Sequence, residues 1–288
     1  MEHFSPYVDE PVGGRNVGKG KVALYLGLAV LLAAATLVAV NAAGSSAPSL
    51  SAQGAAKAGD VVPQSSGCTK TFTNPGPPAL TACVSGHGNV NQLSYAPFFG
   101  PASHIGSEGY CLRDLDTSTV YYDATATESG WGVATQSSTA TTTTVTRTTI
   151  DGVYTLTQNI FFKYGSRLVL IGNLLKNNDT VPHSVRFNRY ADIDMDSNSS
   201  NDVFDYAGAS VFAQEVNGVA LTSLGNPALV QKLGMEPYST WFNTGRTTCT
   251  HSLLVGPTAP GDYVAFIWHE TTIPAGGTVN FRVGYRLL

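Results

Sequence analysis

The chain has 288 residues and a net charge of −4, and only 12% of its residues are Asp, Glu, Lys or Arg, about half the usual share for a soluble domain. Thr, Ser, Asn and Gly supply the polar surface instead, a habit of exported β-rich proteins and not of cytosolic helical ones. The mildly acidic balance and the lack of a basic patch leave no electrostatic reason to expect nucleic acid as a partner.

Residues 1–21 read as a cytoplasmic tail in which Glu2, Asp9 and Glu10 balance Arg15, Lys19 and Lys21. From Val22 to Ala43 the chain is uncharged and apolar, and about 20 such residues suffice for a transmembrane helix. The basic residues just before the run place that end in the cytoplasm and export everything after it. Two readings compete: an uncleaved signal anchor, giving a single-pass membrane protein, or a signal peptide cut after Ala42 or Ala43, giving a secreted one. The apolar core from Val22 to Val40 is longer than the usual signal-peptide core, which favours the anchor. Residues 44–83 then form a Ser/Ala/Gly/Pro-rich linker and a Cys-closed loop, with too little apolar surface in the linker to fold. Residues 84–288 form the extracytoplasmic domain.

The four cysteines are Cys68, Cys83, Cys111 and Cys249, an even count that suits two disulfides in an exported chain. Cys68–Cys83 would close a short Pro-rich loop, and Cys111–Cys249 would tie early and late parts of the domain; this is the favoured pairing. No Cys-x-x-Cys pair points to structural zinc.

From Val84 onward, strand-like runs alternate with Gly, Asn or Pro punctuation. Strands are expected at Tyr110–Arg113, Val120–Asp123, Gly132–Gln136, Thr141–Ile150, Tyr154–Tyr164, Arg167–Leu175 and Val185–Asp194. Further runs are Ser210–Glu215, Val219–Leu224, Ser239–Asn243 and His251–Val255. The Thr-rich stretch Thr139–Thr149 suits a solvent-facing strand better than a glycosylated stalk. Asn226, Pro227 and Gly234 have the cap, first-turn and stop residues of a short helix over Pro227–Leu233. Tyr263–Ile273 and Thr278–Leu288 read as a closing hairpin around Pro274–Gly277, with Val279, Phe281, Val283, Tyr285 and Leu287 on one face of the last strand. Without β-α-β alternation the class is all-β, a large two-sheet antiparallel sandwich.

The densest polar chemistry lies at Ser184–Tyr206. An extended strand from Val185 puts Arg186, Asn188, Tyr190, Asp192 and Asp194 on one face, a candidate sugar-binding surface. The acids that follow suggest a Ca²⁺ site of Asp192, Asp194, Asp196, Asn198 and Asp202, because a hard cation seeks several oxygens. Ser197 and Val203 stand where an EF-hand needs Gly and Glu, so that motif is excluded. A solvated acidic loop paired with Arg186 and Arg189 is the plainer reading. The histidines lack an i,i+4 metal pair. A lone strand-end His, such as His269 beside Glu270, is more often structural, and Trp131, Trp241 and Trp268 are read as core. Gly86-His87-Gly88-Asn89 matches no catalytic fingerprint.

The segments Glu108–Leu112, Thr148–Gln158, Asn173–Asn178 and Arg189–Asp194, in this order and spacing, resemble exported bacterial β-sandwich domains of unassigned function. The curved sheet they suggest is similar to the supersandwich of galactose-mutarotase-like proteins. That family's chemistry is carried by His, Asp and Glu on a concave face, and no such residues are carried over to this chain. The expectation is a membrane-tethered binding or structural module at the cell surface, with a carbohydrate-binding or carbohydrate-active domain as the alternative. The partners implied are the membrane, a glycan or surface protein, and a second copy of the chain.

Overall fold

The computed structural model describes residues 67–74, 79–96, 103–125, 127–195, 202–207, 209–214, 218–224, 230–252, 254 and 257–287. The apolar run 22–43, the spacer, Asp196 and Asn198 lie outside these residues. Among the described residues no helix is long and apolar enough to cross a membrane.

The strands are β1 (Lys70–Thr73), β2 (Ala79–Val84), β3 (Val90–Ala96), β4 (Ser107–Asp114), β5 (Val120–Ala124), β6 (Thr127–Ser129), β7 (Thr135–Ser138), β8 (Thr142–Thr148) and β9 (Tyr154–Phe162). There follow β10 (Leu168–Asn177), β11 (His183–Asp192), β12 (Val203–Ala207), β13 (Ser210–Gln214), β14 (Gly218–Ser223), β15 (Val230–Pro237), β16 (Tyr263–Ile273) and β17 (Thr278–Leu287). They form an eight-stranded sheet in the order β12-β13-β14-β17-β10-β9-β8-β7 and a six-stranded sheet in the order β15-β16-β11-β4-β5-β6. A three-stranded sheet, β1-β2-β3, adds to these. The architecture is the expected all-β sandwich.

Period-two patterning explains the layers. β9 turns Tyr154, Leu156, Gln158, Ile160 and Phe162 inward, and β17 turns Phe281, Val283, Tyr285 and Leu287 inward. From the six-stranded sheet, Tyr110, Leu112, Val185 and Phe187 meet them in one apolar cluster; Ala191, Ala265 and Ile267 belong to another. Phe187 stacks on Phe281 with centroids 5.2 Å apart, and burying such a side chain contributes about 1.5–3 kcal/mol. The small sheet belongs to this body as well. Phe72, Leu80, Val84 and Leu93 join the same core, and Phe72 stacks on Phe162. Lys70–Thr73 and Ala79–Cys83, expected as part of a loop ahead of the domain, are therefore paired strands tied by the Cys68–Cys83 disulfide.

Three expectations are corrected. β16 and β17 are not a hairpin: β16 pairs with β11 and β15, whereas β17 pairs with β10 and β14. The Pro274–Gly277 turn moves the chain from one sheet to the other, and Asn177 holds it there by donating Nδ2 to the carbonyls of Ile273 and Pro274, both at 3.2 Å. The helix expected over Pro227–Leu233 is also replaced. Residues 227–229 lie outside the described residues, and Val230–Leu233 begins strand β15 because its pairing with β16 overrides weak local helix signals. The helical segment lies later, at Tyr238–Thr248, and takes the place of the strand expected over Ser239–Asn243. Its Trp241 packs edge-on against Tyr190, and Cys249, at φ 53°, ends the run in the left-handed region. The Cys111–Cys249 disulfide fastens it to β4.

Among the buried polar assemblies, two bear most directly on stability. Arg189 and Glu108 are both fully buried and paired, Nε to Oε1 and Nη2 to Oε2. Glu108 also accepts from the Tyr285 hydroxyl at 2.8 Å and the Val90 N–H at 2.7 Å. Arg189 gives its remaining donors to Gln158 and the Gly88 carbonyl. Near the edge of the sandwich, His183 lies 2.7 Å from Asp114 and 3.0 Å from Asp179. Burial opposes the His183 charge, but Asp179 and Asp114 outweigh it and raise the imidazole above its ordinary value. Burial likewise pushes the Asp114 carboxyl up, and hydrogen bonds from Tyr154, Thr117 and Asp116 outweigh it and hold it low.

Two outcomes follow for stability. Removing one member of a buried ion pair strands the other, so Glu108→Gln costs about 3–5 kcal/mol in chemical denaturation, and Glu108→Gln/Arg189→Met costs less than the sum of the single changes. For His183, a raised folded-state value means that its stabilisation is complete below the ordinary imidazole value and is lost as pH rises through the folded value. Asp114 acts in the opposite sense, losing its contribution only as pH falls through its depressed value. His183 therefore contributes a decline in melting temperature as pH rises through and above the ordinary imidazole range, and His183→Asn removes that part of the decline.

Candidate functional site

The polar face of β11 is not an open groove. Asn188 and Tyr190 are fully buried, and the half-buried Arg186 pairs with Glu270 and lies 4.8 Å over the Trp268 ring. Asn188 donates to the Cys249 carbonyl at 3.0 Å, and Tyr190 donates to the Asp123 carbonyl at 3.0 Å. Tyr190, Trp241, Phe266, Trp268 and Cys249 form a separate apolar cluster on this side of the six-stranded sheet. The helical segment covers what the sequence pattern presented as a sugar-binding surface, so Arg186, Asn188 and Tyr190 face protein partners. His269 is also structural. It is buried against Phe281, and burial lowers its imidazole to about 4.

Three groups of acidic and imidazole side chains lie close enough to share an ion among the described residues. In the first, His87, Asp123 and Glu128, Arg147 already pairs with both carboxylates, and a second cation would meet a guanidinium. In the second, Asp116 accepts from the Ser184 N–H and Asp114 from Tyr154, so the carboxylates are already engaged. The third is Asp192, Asp194 and Asp262. Burial pushes Asp192 up to about 8, with repulsion from Asp194, Asp262 and Asp202 adding to it. Burial and Asp262 push Asp194 up to about 6, and burial raises Asp262. Asp202 is buried and accepts the Met195 N–H at 3.1 Å. These acids can hold a metal; Asp262 was missed in the sequence because it stands alone in a Pro-Gly-Asp-Tyr turn.

The open concavity lies elsewhere, on the outer face of the eight-stranded sheet. It is a groove of about 460 Å³ lined by Asn159, Phe161, Leu170, Gly172, Leu174, Leu224, Asn280 and Arg282, with Ile171 and Val283 beneath. The register explains it. Asn159, Gly172 and Arg282 lie opposite one another across β9, β10 and β17, as do Thr157, Leu174 and Asn280. Gly172 forms the floor, because a Cβ there would meet nothing nearer than 3.9 Å. Phe161 is 45% exposed and forms a wall. Thr144 donates to Asn159 Oδ1 at 2.9 Å, which leaves the NH₂ end of that amide as a donor. A neighbouring hollow is lined by Arg167, Leu168, Thr222 and Arg286, among others. Among the described residues neither concavity is lined by Asp, Glu or His, and the lining groups are those of a binding surface. Period-two alternation in the last strand puts Asn280 and Arg282 opposite the face of Phe281 and Val283, but nothing local shows that Phe161 stands beside them.

No family model matches the chain, and no curated protein matches it. Solved structures do. A bacterial glucoamylase complexed with acarbose superposes with a TM-score of 0.54 at 10% identity, over 77% of this chain and 32% of that one. A candidate aldose 1-epimerase from Escherichia coli K12 gives 0.47 at 8% identity, over 76% of this chain and 99% of that one. Heparan sulfate lyase HepC from Pedobacter heparinus gives 0.38 at 12% identity, over 75% and 34% of the two chains. This chain thus spans about a third of the glucoamylase, and the likeness to it is one of fold.

Proposed function

We propose that the chain is a surface-tethered, extracytoplasmic β-sandwich that binds carbohydrate in the groove of its eight-stranded sheet. The observation that carries this reading is the groove's lining: an exposed aromatic ring, two amides and a guanidinium around a glycine floor, with no carboxylate. Sugars present apolar C–H faces that pack on such a ring, and hydroxyl pairs that amides and guanidinium groups engage. Arg282, with Arg167 and Arg286 nearby, suits an acidic polysaccharide better than a neutral one. The apolar run Val22–Ala43 and the spacer behind it would hold this module outside the membrane, and two disulfides suit an oxidising compartment. The Asp192, Asp194 and Asp262 group is read as a separate divalent-cation site, for which calcium is the proposed ion.

The test is affinity electrophoresis or calorimetry with uronate-bearing, sulfated and neutral polysaccharides. An acidic polysaccharide is expected to bind, and Phe161→Ala and Arg282→Ala each weaken it about tenfold, or ~1.4 kcal/mol. Binding that neither substitution alters, or no binding to any of the three classes, contradicts the assignment.

A further inference from the structure

We infer that the cation is a clamp between distant parts of the chain, held jointly by Asp192 and Asp194 at the end of β11 and by Asp262 just before β16. The inference rests on reading this acidic group as a cation site and adds which segments the ion joins. One oxygen from each of the three side chains lies within 4.8 Å of the others, so one ion can touch all three. Asp192 is only 6% exposed, and its Oδ1 has no hydrogen-bond partner; Asp262 Oδ1 is likewise buried without one. A buried carboxylate oxygen left in this way needs a cation or a donor. Among the described residues no Lys, Arg or His pairs with any of the three acids.

The surrounding backbone is arranged to bring the acids together. Gly106 N–H donates to the Asp192 carbonyl at 2.9 Å, and Asp194 N–H donates to the His104 carbonyl at 3.1 Å. Gly261 N–H donates to the Asp202 carbonyl at 3.1 Å, and Tyr238 N–H to the Asp262 carbonyl at 3.0 Å. Gly106 has no side chain where a Cβ would press on Asp194 Oδ2 and stand 3.0 Å from Asp192 Oδ2. Space at the carboxylates is thus kept by a glycine. The donors are all hard oxygens, with no thiol or imidazole among them, which suits calcium over zinc or copper. Calcium also accepts an irregular set completed by carbonyls and water, whereas magnesium demands a near-ideal octahedron.

The experiment uses the full chain, stripped with EDTA, titrated with CaCl₂ and separately with MgCl₂ by calorimetry, with melting temperature followed in parallel. The wild-type protein should bind calcium and melt higher with it, and respond less to magnesium. Asp262→Asn should weaken calcium binding tenfold or more, as should Gly106→Ala. Asp194→Asn provides a readout that loss of packing would not: in EDTA it should melt higher than wild type, because one repelling charge is gone, and it should no longer respond to calcium. If the wild type gives neither heat nor a melting shift with calcium, the cation reading itself fails. If the wild type binds calcium and Asp262→Asn binds it equally well, the cation site stands and the clamp is overturned. If Asp262→Asn does not fold, Asp194→Asn decides: undiminished calcium binding there overturns the clamp.

Discussion

The fully buried ion pair between Arg189 and Glu108 is the constraint on which the rest of the structure depends. Both residues belong to the six-stranded sheet, on neighbouring strands β11 and β4, yet their remaining hydrogen bonds run outward to the other two sheets. Tyr285 and Gln158 come from the eight-stranded sheet, Val90 opens β3 of the small one, and the Gly88 carbonyl lies in the turn between β2 and β3. Two charges withdrawn from water are tolerated only when their partners are all in place. The pair can therefore form only when the three sheets have the correct register. An apolar core of the same volume would accept a slipped strand more readily, so the polar centre serves as a check on assembly; that role is a hypothesis which the single and double changes at these residues address.

The same principle organises the network around Arg147. Arg147 reaches from β8 to Asp123 and Glu128, and the loop carrying His87 and Asn89 folds inward to complete the coordination of Asp123. Such a cluster resembles an active site when viewed as a list of residues. Its geometry argues otherwise, because the guanidinium already satisfies the carboxylates that a metal or a proton transfer would need. The covered face of β11 makes the same point. A six-stranded sheet with apolar clusters on both sides leaves no solvent for Asn188 or Tyr190: the Asn188 amide donates to the Cys249 carbonyl at the end of the helical segment, and the Tyr190 hydroxyl to the Asp123 carbonyl of β5.

Much of the fold was legible from residues alone. The alternation in Tyr154–Phe162 and Thr278–Leu287 determines which side chains face the core, since a one-residue slip would reverse every one of them. Both disulfides follow the pairing favoured from cysteine spacing. Other features were hidden for physical reasons. Pro274–Gly277 announces a reversal of the chain, but local residues do not say whether the next strand returns to the same sheet or crosses to the opposite one. The polar side of β11 looked solvent-facing because the segment that buries it lies some 50 residues further along. Asp262 gave no local signal at all, and its link to Asp192 exists only after folding. The groove was half visible: Arg282 and Asn280 showed as outward residues, whereas Phe161 and the Gly172 floor gained meaning only through cross-strand register.

The proposed function turns on location: the proposed carbohydrate site is the outer face of the eight-stranded sheet and not β11. Amide hydrogen exchange of the protein with and without a bound acidic polysaccharide tests this directly. The account predicts that added protection falls on Thr157–Phe161, Leu170–Leu174 and Asn280–Arg282, with β11 and β16 unchanged. Protection centred on β11, β16 or the helical segment, or none on the groove strands, would contradict it.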